Sequence, residues 1–134
     1  MTFRLTPHRL RLLPLLLIGL LPVLQGCSRA DKPVDGAAVF KTCASCHQVG
    51  ANARGSFGPQ LNGLFGRRAG ATTDYGYSDA MKHADIVWNE QTLAAFLRDP
   101  DKVVPGTRMR FWGISDEREM AALLAHLRTF QDAK

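Results

Sequence analysis

The 134-residue sequence predicts a single all-α domain of three to five helices joined by long loops. Three observations point to it. Apolar side chains recur at helical spacing in Leu93, Phe96 and Leu97, and again in Met120, Leu123, Leu124 and Leu127. No stretch beyond residue 34 shows the period-two alternation of a strand. Between the helical stripes lie stretches rich in glycine and proline, 48–73 and 99–114, which read as loops.

Residues 1–26 read as a leader that is removed on export. Arg4, Arg9 and Arg11 precede an apolar run from Leu12 to Leu24 that is interrupted by Pro14, Gly19 and Pro22. This run is shorter than the about 20 residues a membrane-spanning helix needs, and the prolines disrupt it further. It closes on Leu24-Gln25-Gly26-Cys27, which resembles the lipobox of bacterial lipoproteins. The resemblance implies that Cys27 becomes a lipidated first residue; the alternative is ordinary secretory cleavage nearby, with Cys27 left as a free thiol. Each buried methylene of an acyl chain contributes about 0.8 kcal/mol, so several chains would hold the protein durably on a membrane. Residues 27–34 then form a tether and 35–134 the folded domain. The formal charge of +5 includes the three leader arginines, so the mature remainder is close to neutral. No basic run interleaved with aromatics marks a nucleic-acid partner.

Within the domain, Asp35 is expected to cap a helix from Gly36 to Cys46, with Gly36 and Phe40 on one face. The loop that follows offers Phe57 and Phe65 for burial. Ser78 is the expected cap of a short helix containing Met81, and Asn89 that of a longer one stopped by Pro100. Pro105-Gly106 and Gly113 make Asp99 to Ile114 a loop. Ser115 is the expected cap of the last helix, where Asp116, Glu117 and Glu119 suit the positive end of the helix dipole.

The chemistry is concentrated in Cys43-Ala44-Ser45-Cys46-His47, the attachment signature of a c-type haem. Two thiols three positions apart on a helix share a face, where each can form a thioether with one vinyl group. His47 then lies beside the tethered ring with one nitrogen free for iron. A redox dithiol would not need the adjacent histidine, and zinc would have to recruit His83 or His126 to complete four ligands. Candidates for the sixth iron position are Met81, Met109, Met120, His83 and His126. Met109 has the best context, because Pro105-Gly106-Thr107-Arg108-Met109 is a turn-rich segment able to present a side chain to the ring. Met120 lies on an apolar stripe, where methionine more often packs than ligates.

The order of motifs resembles the class I c-type cytochromes, the family of mitochondrial cytochrome c and bacterial cytochromes c2. The landmarks, between about Gly36 and Leu127, are Cys43 to His47, Gly58 to Arg67, Tyr77-Ser78-Asp79-Ala80, Trp88, and Pro105 to Met109. The resemblance implies the small cytochrome c fold around one covalent haem c, attached through Cys43 and Cys46 and ligated by His47 and Met109. It further implies that the Pro59 carbonyl holds the other ring nitrogen of His47, and that Arg67, Tyr77, Trp88 and Thr107 line the haem pocket. Thioether attachment in this family takes place outside the cytoplasm, which agrees with a leader. Two positions depart from the usual pattern: Phe96 stands where the family carries tyrosine, and Met81 where mitochondrial members carry asparagine.

An iron with both axial positions filled has no vacant site for substrate, so the expected function is one-electron transfer, without catalytic residues. The expected protein is a monomeric electron carrier, lipid-anchored to a bacterial membrane and facing the periplasm. Its partners would be redox proteins: a membrane dehydrogenase, a cytochrome bc-type complex or a terminal oxidase. Arg54, Arg67, Arg68, Arg108 or Lys82 could steer an acidic partner. Competing readings are a haem-based sensor with a labile Met109, and a cytochrome subunit of a larger oxidoreductase.

Overall fold

A computed structural model describes residues 32–133; Cys27 and the leader lie outside them. Five helices follow in order, α1 Gly36–Phe40, α2 Asp79–His83, α3 Glu90–Arg98, α4 Pro100–Val103 and α5 Glu117–Arg128. The described residues hold no strand, only an isolated bridge between Arg68 and Val87. None of their helices is long and apolar enough to cross a membrane.

The centre of the fold is the crossing of α1 and α5. A Cβ placed on Gly36 would lie 2.1 Å from the Ala122 carbonyl oxygen, so hydrogen alone permits the two backbones to approach this closely. Beside that contact the Phe40 ring packs on His126 at 5.4 Å between centroids, and His126 in turn meets Phe130 at 5.1 Å. The α5 stripe of Met120, Leu123, Leu124 and Leu127 is buried as its spacing predicts. Leu123 is covered almost completely, worth about 1.5–3 kcal/mol relative to exposure. Leu93, Phe96 and Leu97 of α3 enter the same core.

Caps fix the helix starts. Asp35 accepts from the Ala37 amide and Ser78 from the Met81 amide, both as expected. Asn89 and Thr92 form a reciprocal box, the Asn89 side chain accepting from the Thr92 amide at 2.9 Å and the Thr92 hydroxyl from the Asn89 amide at 2.8 Å. The last helix differs from expectation by one residue. Asp116, not Ser115, is its cap, because the Asp116 carboxylate accepts from the Arg118 and Glu119 amides at 2.7 and 3.1 Å. An anion at these two donors is favoured over a hydroxyl. The same bonds hold the Asp116 carboxyl below its ordinary range. Its stabilising effect is therefore present above pH 3.8 and lost as the pH falls through the lowered folded value. Replacing Asp116 by alanine is expected to lower the urea midpoint at pH 7, with the difference from the parent shrinking in acid.

Two other segments depart from the sequence reading. Helix α1 ends at Phe40 rather than Cys46, since Lys41 and Thr42 bond three residues back, to Ala38 and Val39, and tighten the chain. The cysteines sit on the turns that follow. The segment from Asp99, read as loop, contains α4: Pro100 both stops α3 and opens α4, whose cap is Asp99.

Gly113 anchors the loop before α5. Its φ is +91°, and a Cβ there would meet the Arg98 carbonyl oxygen at 2.2 Å. The next amide, of Ile114, donates to the Leu97 carbonyl at 3.0 Å, so the loop is fastened to the end of α3.

Candidate haem site

His47 is held from two directions. The turns after α1 are closed by its amide, which donates to the Cys43 carbonyl at 2.9 Å. Its ring nitrogen Nδ1 lies 2.8 Å from the Pro59 carbonyl oxygen. A carbonyl can only accept, so Nδ1–H is the donor and Nε2 carries the lone pair. Burial lowers the proton affinity of the ring, partly offset by the bond to Pro59, and so favours the neutral form that can ligate a metal. Gly58 lies against the ring: a Cβ there would be 2.5 Å from Cε1 and 2.8 Å from Nδ1. The Gly58 amide donates to the Cys46 carbonyl at 2.9 Å, tying the Gly-Pro step back to the cysteine segment.

Both thiols are free, Cys43 half-buried and Cys46 exposed. Burial, then the proximity of Cys46, raises the Cys43 thiol above its ordinary value. Both face a cavity of about 400 Å³ that His47, Pro59, Arg67, Tyr77, Trp88, Thr107 and Met109 also line. The structure thus gathers around one space the two cysteines, His47, Met109 and the five pocket residues that the resemblance implies.

The chemistry of the walls fits a large apolar ring with acidic substituents. Leu61, Leu64, Phe96, Leu97 and Leu123 supply apolar surface, and the charged lining residues are all arginines, Arg67, Arg108 and Arg110. Arg67 donates through one nitrogen to the Asn62 carbonyl at 2.9 Å and through another to the Gln60 carbonyl at 3.0 Å. These bonds use two of its five N–H groups. Desolvation pushes its guanidinium down from the ordinary value, opposed by Tyr77 and Asp74; an arginine nonetheless remains charged. The Tyr77 hydroxyl is 2.8 Å from Thr72 Oγ1, and the Thr107 hydroxyl accepts from the Met109 amide at 3.3 Å. Trp88 is 6% exposed, packs on Phe96 at 5.2 Å and presents its indole to the cavity.

Among the candidates for the second iron ligand, Met109 and Met81 line the cavity and the others do not. Met120 is buried in the core, His126 lies between Phe40 and Phe130, and His83 Nδ1 is 2.8 Å from the Asp79 carbonyl. Of the cations considered for steering, Arg68 pairs with Asp85 and Lys82 with Asp79, while Arg54 lies away from the cavity. Arg67 is turned inward, which leaves Arg108 as the exposed member at the cavity.

Several cavity residues escaped the sequence reading, Thr42, Tyr75, Arg110 and Phe111 among them. Tyr75 lines it and donates its hydroxyl to the Phe57 carbonyl at 3.1 Å; Arg110 and Phe111 line it beyond Met109. A signal for the last two exists, because Arg108-Met109-Arg110-Phe111 alternates charged and apolar side chains as an extended segment does. Phe57, expected to be available for burial, is 83% exposed beside the cavity. The tight turn that brings Gly58 onto His47 directs it outward.

A family model described as Cytochrome c matches residues 33–131. The chain is 42% identical over 101 residues to a cytochrome c2 of Blastochloris viridis, covering 75% of this chain and 80% of that protein. It is 46% identical over 94 residues to a cytochrome c of Cannabis sativa, covering 69% and 85%. Among solved structures, cytochrome cH from Methylobacterium extorquens superposes with a TM-score of 0.65 at 38% identity, over 70% of this chain and 94% of that one.

Proposed function

The chain belongs to the cytochrome c family, and we propose that it is a lipid-anchored member carrying electrons between membrane-bound redox complexes on the periplasmic side. As a family member it carries one covalent haem c and acts as an electron carrier rather than an enzyme. When bound, the haem supplies a reversible one-electron iron couple. The observation that carries the reading is that Cys43, Cys46, His47 and Met109 line one apolar cavity whose charged wall residues are all arginines. Cys43 and Cys46 would bind the group covalently, and His47 and Met109 would ligate its iron. Pro59 orients His47, while Arg67, Tyr77, Trp88 and Thr107 form the polar part of the wall. Because no acid or base has to act, these residues need only exclude water and hold the ligands still between the two oxidation states.

The assignment of the second ligand is tested by absorption spectroscopy with carbon monoxide. Met109→Ala is expected to abolish the sulfur-to-iron band of the oxidised protein and to open the reduced protein to carbon monoxide. Met81→Leu should leave both unchanged, and the reverse pattern would transfer the assignment to Met81. Lipid anchoring is tested by mass analysis of the mature N-terminus: a diacylated or triacylated Cys27 supports it, and an unmodified cysteine refutes it. The donor or acceptor is assigned to the class of membrane dehydrogenase, cytochrome bc-type complex or terminal oxidase, with the protein acting as a monomer.

A further inference from the structure

The loop that carries Met109 continues into Trp112, a tryptophan with relative exposure of 104%. Trp112 is the most exposed large apolar side chain among the described residues, and together with a groove beside it forms a patch that a partner can cover. The loop is not a floppy display. Thr107 holds the Met109 amide, and Gly113 and Ile114 fasten the other end to α3. An aromatic anchor held by a rigid backbone loses little conformational freedom on binding.

Next to Trp112 is a groove of about 330 Å³ that Asp99, Asp101 and Trp112 share with Met109, Arg110 and Phe111. Met109, Arg110 and Phe111 also line the haem cavity, so they form the wall between the two spaces. The charges differ on the two sides of that wall. Arg108 lines the cavity alone, Arg110 lines both spaces, and the carboxylates of Asp99 and Asp101 line the groove while the cavity has none. Arg108 donates to the Gly76 carbonyl and makes no ion pair among the described residues, so its charge remains available at the surface.

We infer that Trp112 is the anchor of an electron-transfer interface. Its partner is a protein with an apolar recess for the indole, acidic groups opposite Arg108 and Arg110, and a basic or neutral flank opposite Asp99 and Asp101. The mixed charge favours a protein over an anionic lipid sheet, which would repel the two aspartates. In the docked complex one electron passes from the reduced chain to the partner's acceptor, and no atom or proton is transferred. The inference rests on the carrier reading given above and specifies where its partner binds.

The test uses the haem-loaded protein with a detergent-solubilised haem-copper oxidase that accepts electrons from c-type cytochromes. Ferricyanide serves as the small-molecule control. Trp112→Ala is expected to lower kcat/KM with the oxidase by about tenfold, mainly through KM, as loss of an interface anchor does. Trp112→Phe should restore most of that loss, and the wild-type rate should fall as salt is added. Oxidation by ferricyanide and the midpoint potential should not move with either variant. Oxidase kinetics of Trp112→Ala within twofold of wild type would overturn the inference, as would an equal loss with ferricyanide. Loss of binding to phosphatidylglycerol vesicles with oxidase kinetics intact would assign Trp112 to a lipid surface instead. A wild-type protein that cycles with ferricyanide but not with the oxidase overturns the docking inference alone. One that does not cycle with ferricyanide refutes the carrier reading itself.

Discussion

Gly58→Ala should dislodge the His47 imidazole and cost the holoprotein its six-coordinate spectrum. The added methyl would sit 2.5 Å from Cε1, 2.8 Å from Nδ1 and 2.9 Å from Nε2, and the Gly58 backbone is tied to the Cys46 carbonyl. Neither side can yield cheaply. The ring would have to move and lengthen the 2.8 Å bond to Pro59, which sets its tautomer and orientation. Overpacking of this kind costs about 1–3 kcal/mol, and here the cost falls on the geometry of the proposed iron ligand. The expected result is a poor yield of loaded protein whose reduced form takes up carbon monoxide on the His47 side. Gly76→Ala is the control, since a Cβ at Gly76 meets nothing within 4 Å. A low-spin spectrum retained in Gly58→Ala would show that the ring can shift without losing the iron.

The second large effect is on the frame. Glycine to alanine inside a helix is usually favourable by about 1 kcal/mol, so propensity predicts that Gly36→Ala stabilises the protein. Sterics predict the opposite, with the Cβ 2.1 Å from the Ala122 carbonyl oxygen and 2.8 Å from the carbonyl carbon. Sterics should win, because two of the three obstructing atoms are backbone, the third is the His126 Cβ at 2.8 Å, and the helices would have to separate along their whole contact. A net destabilisation of about 3 kcal/mol is expected, with a fall in Tm of more than about 10 °C by calorimetry. A Tm equal to or above that of the parent would mean that α1 can slide along α5 at little cost.

Much of this was legible in the sequence because its signals are local. Asp35, Ser78 and Asn89 announce caps within three residues of the amides they satisfy. The α5 stripe is a pattern within one helix, and the cysteine-histidine motif has a spacing set by the group it binds. The step from Gly58-Pro59 to the ring of His47 came from family resemblance and could not be derived from residues eleven and twelve positions apart. The misread features depend on competition or on contacts made in three dimensions. Ser115 and Asp116 are both competent caps, and the position of two free amides chose the aspartate. Whether Phe57 faces in or out depends on the turn between Gly55, which bonds to Asp74, and Gly58. The exposure of Trp112 has no local signal in a list of residues, because it depends on which way the loop turns its side chain.

The contact between α1 and α5 also sets the order in which the molecule can come together. It joins the first helix of the domain to the last, so its loop-closure entropy is among the largest in the chain and cannot be met until almost the whole polypeptide is present. Local turns around Cys43 to His47 can form early, but the lock behind Phe40 closes only when residues 117–128 arrive. A newly made chain therefore passes through a period in which both thiols are accessible and the core is unsealed. Covalent attachment belongs in that interval, and removal of α5 should leave a chain that can receive its cofactor but cannot shut around it.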